Sequence, residues 1–278
     1  MSEKFFQDNS TAAVVEAIEA NLYAFGTTQF AKWSRMSVHD EAHLLWFISD
    51  MPSPMFNVVQ RARLSPNNVD GIITEVQNRY AVQDLPLLWW VGPSSTPLEL
   101  SRHLTAAGFV PSGETIGMGI DLQELDIPKQ PQNLEIRSTR DRNSLLTFAR
   151  TMCLGFQLSH SVLEHMIDQV VAMGCGTDGP LINYVGYLDG RPVATSSLYL
   201  DSGVAGIYNV STLPAVRRQG IGTAVTMAPL IEATRRGYRF AILHSSAMAH
   251  PMYEQLGFDT YCYFHQYLWP APTEQKNS

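Results

Sequence analysis

The stretch Val210-Ser211-Thr212-Leu213-Pro214-Ala215-Val216-Arg217-Arg218-Gln219-Gly220-Ile221-Gly222-Thr223-Ala224 joins a β-branched run to two glycines and then to a helical pattern. Upstream, residues 204–210 read as a strand. Downstream, Ile221, Ala224, Val225, Ala228, Ile231 and Ala233 recur near helical spacing until Gly237 ends the run. A strand that feeds a glycine-bearing turn at the start of a helix gathers backbone N–H groups and the positive end of the helix dipole in one spot. Such a turn suits a pyrophosphate. Thr223 adds a hydroxyl in the first helical turn, and Arg217 and Arg218 add positive charge.

Three phosphate cradles share that outline, and the residues separate them. The nucleoside-triphosphate loop requires Gly-Lys-Ser/Thr at its end, whereas Gly220-Ile221-Gly222-Thr223 has no lysine. The dinucleotide fingerprint requires a third glycine where Val225 stands, and an acid about 20 residues on, where the chain is apolar at 240–243. The third cradle is a coenzyme A loop. Arg217-x-x-Gly220-x-Gly222 resembles the Arg/Gln-x-x-Gly-x-Gly/Ala signature of the GNAT superfamily of N-acetyltransferases. Downstream, Met252-Tyr253-Glu254-Gln255-Leu256-Gly257-Phe258 resembles its second signature, Leu-Tyr-Glu-x-Leu-Gly-Phe. The resemblance covers about residues 134–270.

The resemblance implies a V-shaped opening between two parallel strands, 204–212 and 240–243. The pantetheine of acetyl-CoA would pair there with Val210, Ser211 and Thr212. Its pyrophosphate would rest on the N–H groups of Arg218, Gln219, Gly220, Ile221, Gly222 and Thr223, with Arg217 adding charge. Tyr253 matches the family tyrosine that protonates the departing thiolate, a reasonable task for a phenol with pKa of about 10. Ser246 stands where many members carry a cofactor-contacting Asn. Acetyl-CoA is thus expected as co-substrate, with direct attack by a primary amine in a ternary complex, and no metal is implied. No residue stands out as general base; His244, at the end of the 240–243 run, is the best histidine candidate, ahead of His250 and His265.

Around this core the order is legible. Asp189-Gly190 and Asp201-Ser202-Gly203 punctuate three strands into a meander, 182–188, 192–200 and 204–210. Asp141 and Ser159 or Ser161 are candidate caps for helices at 141–152 and 161–173. The second half therefore reads β-α-α-β-β-β-α-β-α-β, an α/β chain with a mixed sheet. The first half repeats part of it. A strand at 56–64, a helix from Ser65 or Asn68 to about Tyr80, a strand at 87–91, a helix at 98–107 and a strand at 115–122 follow in turn. Pro66 precedes Gly108 at nearly the spacing by which Pro214 precedes Gly257, and both glycines are followed by Phe.

Two tandem GNAT-like domains are the expectation: 1–124 degenerate, 125–133 a proline-bearing linker, 134–270 catalytic and 271–278 a polar tail. The first copy lacks the working parts. Pro66-Asn67-Asn68-Val69-Asp70-Gly71 puts an acid where phosphate would lie, and Leu104 stands in the place of Tyr253.

Composition bounds the rest. With 278 residues, 45% hydrophobic and 16% charged, the chain is that of a globular protein with a real core. A net charge of −7 disfavours nucleic acid as a partner. No run approaches the roughly 20 apolar residues of a membrane span, and no secretory signal is visible. Cys153, Cys175 and Cys262 show no paired spacing, so a cytoplasmic protein with reduced thiols is expected. The apolar stretch 152–160 and residues 260–265 would favour a small, partly apolar amine; the oligomeric state, a homodimer included, is left open. The alternatives are a non-catalytic CoA-binding sensor or assembly module, and an acyltransferase acting on a protein amine.

Overall fold

The computed structural model describes residues 6, 8 and 10–275. In chain order its elements are α1 (Thr11–Gln29), β1 (Met36–Asp40), β2 (Leu45–Ser49), β3 (Val58–Gln60), α2 (Val69–Ala81), β4 (Leu87–Val91), α3 (Leu100–Ala106) and β5 (Val110–Asp121). There follow β6 (Leu134–Ser138), α4 (Arg142–Gly155), α5 (His160–Met173), β7 (Leu181–Leu188), β8 (Arg191–Asp201) and β9 (Val204–Thr212). The chain ends with α6 (Ile221–Arg235), β10 (Phe240–Ser245), α7 (His250–Gln255), β11 (Asp259–Trp269) and the single turn α8 (Pro272–Gln275). The mixed α/β class is as expected.

The chain forms two compact units that interleave in sequence. One comprises Met1–Phe25 with Gly117–Tyr261, the other Gly26–Ile116 with Cys262–Ser278. The segment 125–133, expected as a linker between domains, lies inside the first unit. The expected polar tail includes the turn α8, with Thr273 held by Asp84 through its amide at 3.0 Å and its hydroxyl at 2.5 Å.

In the first unit β6, β7, β8 and β9 are antiparallel neighbours and β10 joins β9 in parallel, with the end of β5 on the far side of β10. Both predicted hairpin turns form. Asp189 and Gly190 take φ of 48° and 76°, and Ser202 and Gly203 take 55° and 76°, the paired positive values that two-residue hairpins demand. Asp141 closes a capping box at the start of α4, and Ser159 occupies the N-cap position of α5.

Helix α6 covers one face of this sheet. Its buried side chains run nearly all round, Ile221, Ala224, Val225, Met227, Leu230 and Ala233 among them, whereas Ile231 is 45% exposed and Ala228 only half-buried, against the sequence expectation for both. Pro229 sits inside the helix and has no N–H to offer Val225. The Val225 carbonyl accepts instead from the Ser196 hydroxyl of β8, at 2.6 Å. A sheet side chain thus repairs the bond that the proline removes, and it pins the helix to the sheet. Helices α1 and α4 pack on the opposite face.

Helix α1 is missed by the sequence reading, as are β1 and β2. Its buried residues include Val14, Ala17, Ile18, Asn21, Glu19, Tyr23 and Phe25, which do not form one stripe. Without a polar face the amphipathic signature is absent.

In the second unit β1, β2 and β3 are antiparallel neighbours, β3 and β4 are parallel across α2, and β11 lies antiparallel to β4. The crossover β3-α2-β4 has the same order as β9-α6-β10. Each unit draws the strand beside its crossover pair from the other half of the sequence, β5 in one and β11 in the other. Leu104 and Phe109 are buried in the second unit's core with Trp89, Tyr80 and Val76.

Candidate functional site

The first unit's sheet opens where β9 and β10 part. Their parallel pairing runs from Ala205–Ala241 to Ile207–Leu243 and goes no further, although β9 continues to Thr212 and β10 to Ser245. The cause lies on the other edge of β9. Opposite β8 the register shifts between Thr195 and Ser197, so that Ser197 faces Tyr208 while Thr195 faces Ser211. The extra residue in β9 is a bulge, and Asn209 within it has φ of 53°. Asparagine tolerates that left-handed conformation better than most residues do.

Buried neutral side chains hold the bulge in place. Thr195 Oγ1 donates to the Asn209 carbonyl at 2.8 Å and meets Ser211 Oγ at 2.8 Å. Asn209 Nδ2 donates to Ser197 Oγ at 3.1 Å, and Ser197 in turn donates to Asn183 Oδ1 at 2.7 Å. The bulge turns the last residues of β9 out of the ladder with β10.

After Pro214–Val216, a 3₁₀ turn, the chain reaches the glycine loop. Arg218 and Gly220 both have positive φ, 64° and 74°, and Gly220 caps α6 without any side-chain hydrogen bond. The first N–H groups of α6 therefore point outward with no capping acceptor, at the positive end of a 15-residue helix. Gly222 is packed closely: a Cβ there would sit 3.1 Å from Met252 Sδ and 3.5 Å from Thr212 Oγ1.

The residues singled out in the sequence fall into distinct places. Val210 packs with the α6 cluster, Ser211 is buried against Thr195, and Thr212 lies beside Gly222. Arg218 and Gln219 are exposed, Ile221 is buried and Thr223 is partly exposed. Arg217 differs from expectation. Its Nε donates to the Thr212 carbonyl at 3.0 Å and its Nη2 to the Gly155 carbonyl at 2.7 Å, so the guanidinium staples the loop to the end of α4. Ser246 is exposed and turns its polar groups inward to the following turn, with its carbonyl accepting from the amides of Ala249 and His250.

Tyr253, on α7, is 5% exposed and lies on the α6 side of the sheet, hydrogen-bonded to Thr226 of that helix. Burial pushes its phenol well above the ordinary tyrosine value, against a smaller lowering by Thr226, so the hydroxyl keeps its proton across any ordinary pH. Thr226, which donates to the Gly222 carbonyl at 2.9 Å, is a site neighbour the sequence reading missed. Its signal was a lone hydroxyl in the buried run of α6.

His244 stands on the opposite face, next after the last paired residue of β10, and its ring lies over that of Tyr208 with centroids 6.0 Å apart. Burial, which deprives the charged ring of solvent, pulls its pKa down to about 4, so it is neutral near pH 7. His250 and His265 are engaged elsewhere, with Thr260 and with Glu114. Beside the loop a cavity of about 320 Å³ is lined by Thr223, Met252, Gln255 and Leu256 together with Glu124 and Asp126. No group of three or more His, Cys, Asp or Glu capable of holding a metal occurs among the described residues.

Residues 153–258 match the family model described as acetyltransferase (GNAT) family. Over those residues the chain has the sequence pattern of a GNAT acetyltransferase domain. Solved structures with the same fold span nearly the whole chain. A GCN5-related N-acetyltransferase from Kribbella flavida is 16% identical, covers 93% of this chain and 98% of its own, and has a TM-score of 0.72. One from Sphaerobacter thermophilus is 15% identical, with coverages of 95% and 94% and a TM-score of 0.63. A tandem GNAT protein from the clavulanic acid biosynthesis pathway is 14% identical, covers 95% of both chains and has a TM-score of 0.62. At these identities the likeness concerns the fold. No curated protein sequence matches the chain. No helix among the described residues is long and apolar enough to cross a membrane.

Proposed function

We propose that this protein is an N-acetyltransferase that moves an acetyl group from acetyl-CoA to a primary amine, most simply that of a small molecule, in a ternary complex. The observation that carries the reading is the parallel pair β9 and β10, which stops pairing at Ile207 and Leu243 beside an uncapped α6 N-terminus. Val210, Ser211 and Thr212 are unpaired with β10, and apart from the Thr212 carbonyl, which Arg217 takes, their outward backbone groups suit an extended amide-bearing chain such as pantetheine. The outward N–H groups of Ile221, Gly222 and Thr223, with the Arg218–Gly220 turn, suit a pyrophosphate. Arg217 serves this cradle by fixing its shape, and the positive field of Arg218 lies at its edge.

The donor supplies an activated thioester. This chain's part is to hold it in the cleft, admit a neutral amine and return a proton to the sulfur. Tyr253 suits the last step, because its hydroxyl stays protonated and is oriented by Thr226. With Tyr253 on the α6 side and His244 on the α1 side, the two faces of the sheet offer different environments to leaving group and incoming amine. The amine's proton leaves through water at the open end of the cleft. The second unit lacks the glycine loop and the tyrosine, so we assign one active site per chain and read the 1–124 half as a degenerate copy. Its three cysteine thiols support reading it as a cytoplasmic protein.

Calorimetric titration of acetyl-CoA into the full chain, followed by a free-thiol assay against a panel of primary amines, tests the assignment. Amine-dependent thiol release is expected. Failure to bind CoA would remove the donor assignment, and binding without thiol release for any amine would turn the reading towards a CoA sensor.

A further inference from the structure

The closed end of the cleft is built in an unusual way for a chain that could have used an aliphatic floor. Tyr208 is the first β9 residue past the last β10 pair, and His244 is its counterpart on β10. Their rings stack on the α1 face. Behind Tyr208 comes Phe25 of α1, stacked at 4.5 Å with 20° between planes, and Tyr199 lies edge-on to Phe25 at 5.1 Å.

Three features prevent the Tyr208 ring from swinging away. Its hydroxyl donates to Asn21 Oδ1 at 2.8 Å. Asn21, fully buried, donates in turn from Nδ2 to the Asp201 carbonyl at 3.0 Å. Beneath the ring lies Gly206, where a Cβ would stand 2.5 Å from Tyr208 Cε2 and closer still to Asn21 Oδ1. The missing side chain at 206 is what lets the ring lie down against β9, and Asn21 keeps it there. A ring fixed at three points cannot retreat to admit a longer substituent.

We infer that the stacked rings of Tyr208 and His244, locked from behind by Asn21 and Phe25, form the floor of the acyl pocket and restrict the donor to an acetyl group. The inference rests on the cleft being the acyl-CoA site proposed above. Tyr208 and His244 are here specificity-determining residues, and Asn21 a positioning residue acting through Tyr208.

The experiment is a calorimetric comparison of CoA, acetyl-CoA, propionyl-CoA and butyryl-CoA on the full chain and on Tyr208→Ala, Tyr208→Phe and His244→Ala. A rigid apolar pocket that is one methylene too short costs about tenfold or more in affinity, so wild-type affinity should fall by that step or more from acetyl to butyryl. Tyr208→Ala should restore butyryl-CoA by about the same factor relative to acetyl-CoA and leave free CoA unchanged, because CoA has no acyl group to meet the floor. His244→Ala opens the floor from the β10 side and should shift the same ratio even if Tyr208→Ala does not fold. Tyr208→Phe keeps the ring and should keep the discrimination. Equal wild-type affinity for acetyl- and butyryl-CoA overturns the proposal, as do truncations that fold and leave the ratio unmoved. Absence of CoA binding by the wild type overturns the donor assignment itself, and is read on free CoA alone.

Discussion

Replacing Gly206 by alanine tests the packing of α1 on β9 without any knowledge of the acceptor. The added Cβ would stand 2.5 Å from Tyr208 Cε2 and nearer to Asn21 Oδ1, and both neighbours are tied down by hydrogen bonds. Relief requires either the Tyr208 ring or the Asn21 amide to move. Overpacking a tight interior costs about 1–3 kcal/mol. If the shift also breaks the Tyr208–Asn21 bond in its buried setting, about 1–2 kcal/mol more is lost. At about 2–4 °C per kcal/mol for a chain of this order, the combined loss should lower the Tm of Gly206→Ala by about 4–20 °C.

The control is Asn21→Ala, which removes one obstructing group but leaves the Tyr208 hydroxyl and the Asp201 carbonyl without their partner. Because both substitutions damage the same contact, the double variant should lose less than the sum of the singles. Differential scanning calorimetry of the four proteins gives the cycle. A Gly206→Ala protein as stable as wild type, or strict additivity in the double variant, would refute the claim that α1 is docked on β9 through this glycine.

Other outcomes follow from the same geometry. Tyr253→Phe should lower kcat by about 10²–10⁴ while CoA affinity, read by calorimetry, stays within a few-fold; an unaltered kcat with an acceptor found in the amine panel would dismiss the proton-donor role. Since the Tyr253 pKa is raised, kcat should show no alkaline fall near pH 10 from loss of this proton, and a wild-type limb there that vanishes in Tyr253→Phe would count against it. Arg217→Ala should reduce both stability and CoA affinity, and Arg217→Lys should not restore them, because one ammonium cannot copy two diverging guanidinium donors to Thr212 and Gly155; full rescue by lysine in a thermal melt would argue for charge alone. Glu232 is held down to about 2 by hydrogen bonds from Arg235, against partial burial, and from Arg236. Its folded pKa lies below its unfolded value, so its contribution is fully present above about pH 4.5 and is lost as pH falls towards 2. Glu232→Gln should therefore flatten that part of the Tm–pH curve, and identical acid limbs for the two proteins would show that the cluster is idle.

What local sequence determined about this protein is what local geometry can encode. Asp189-Gly190 and Ser202-Gly203 set their own positive φ values, Asp141 makes its cap within four residues, and Gly220-Ile221-Gly222 places a helix start after a strand whatever lies around it. These residues carried the family signature and the order of elements in the second half. Tertiary structure decided the rest. Arg217 reads as a phosphate ligand in sequence, yet the carbonyl of Gly155, 62 residues away, claims its guanidinium. Nothing near Tyr208 announces that its hydroxyl will meet Asn21, 187 residues earlier in the chain. The exchange of β5 and β11 between the units is silent in sequence for the same reason. A strand's partner is chosen by burial and ladder hydrogen bonds between distant segments, whereas a turn or a cap is chosen by the residues that form it.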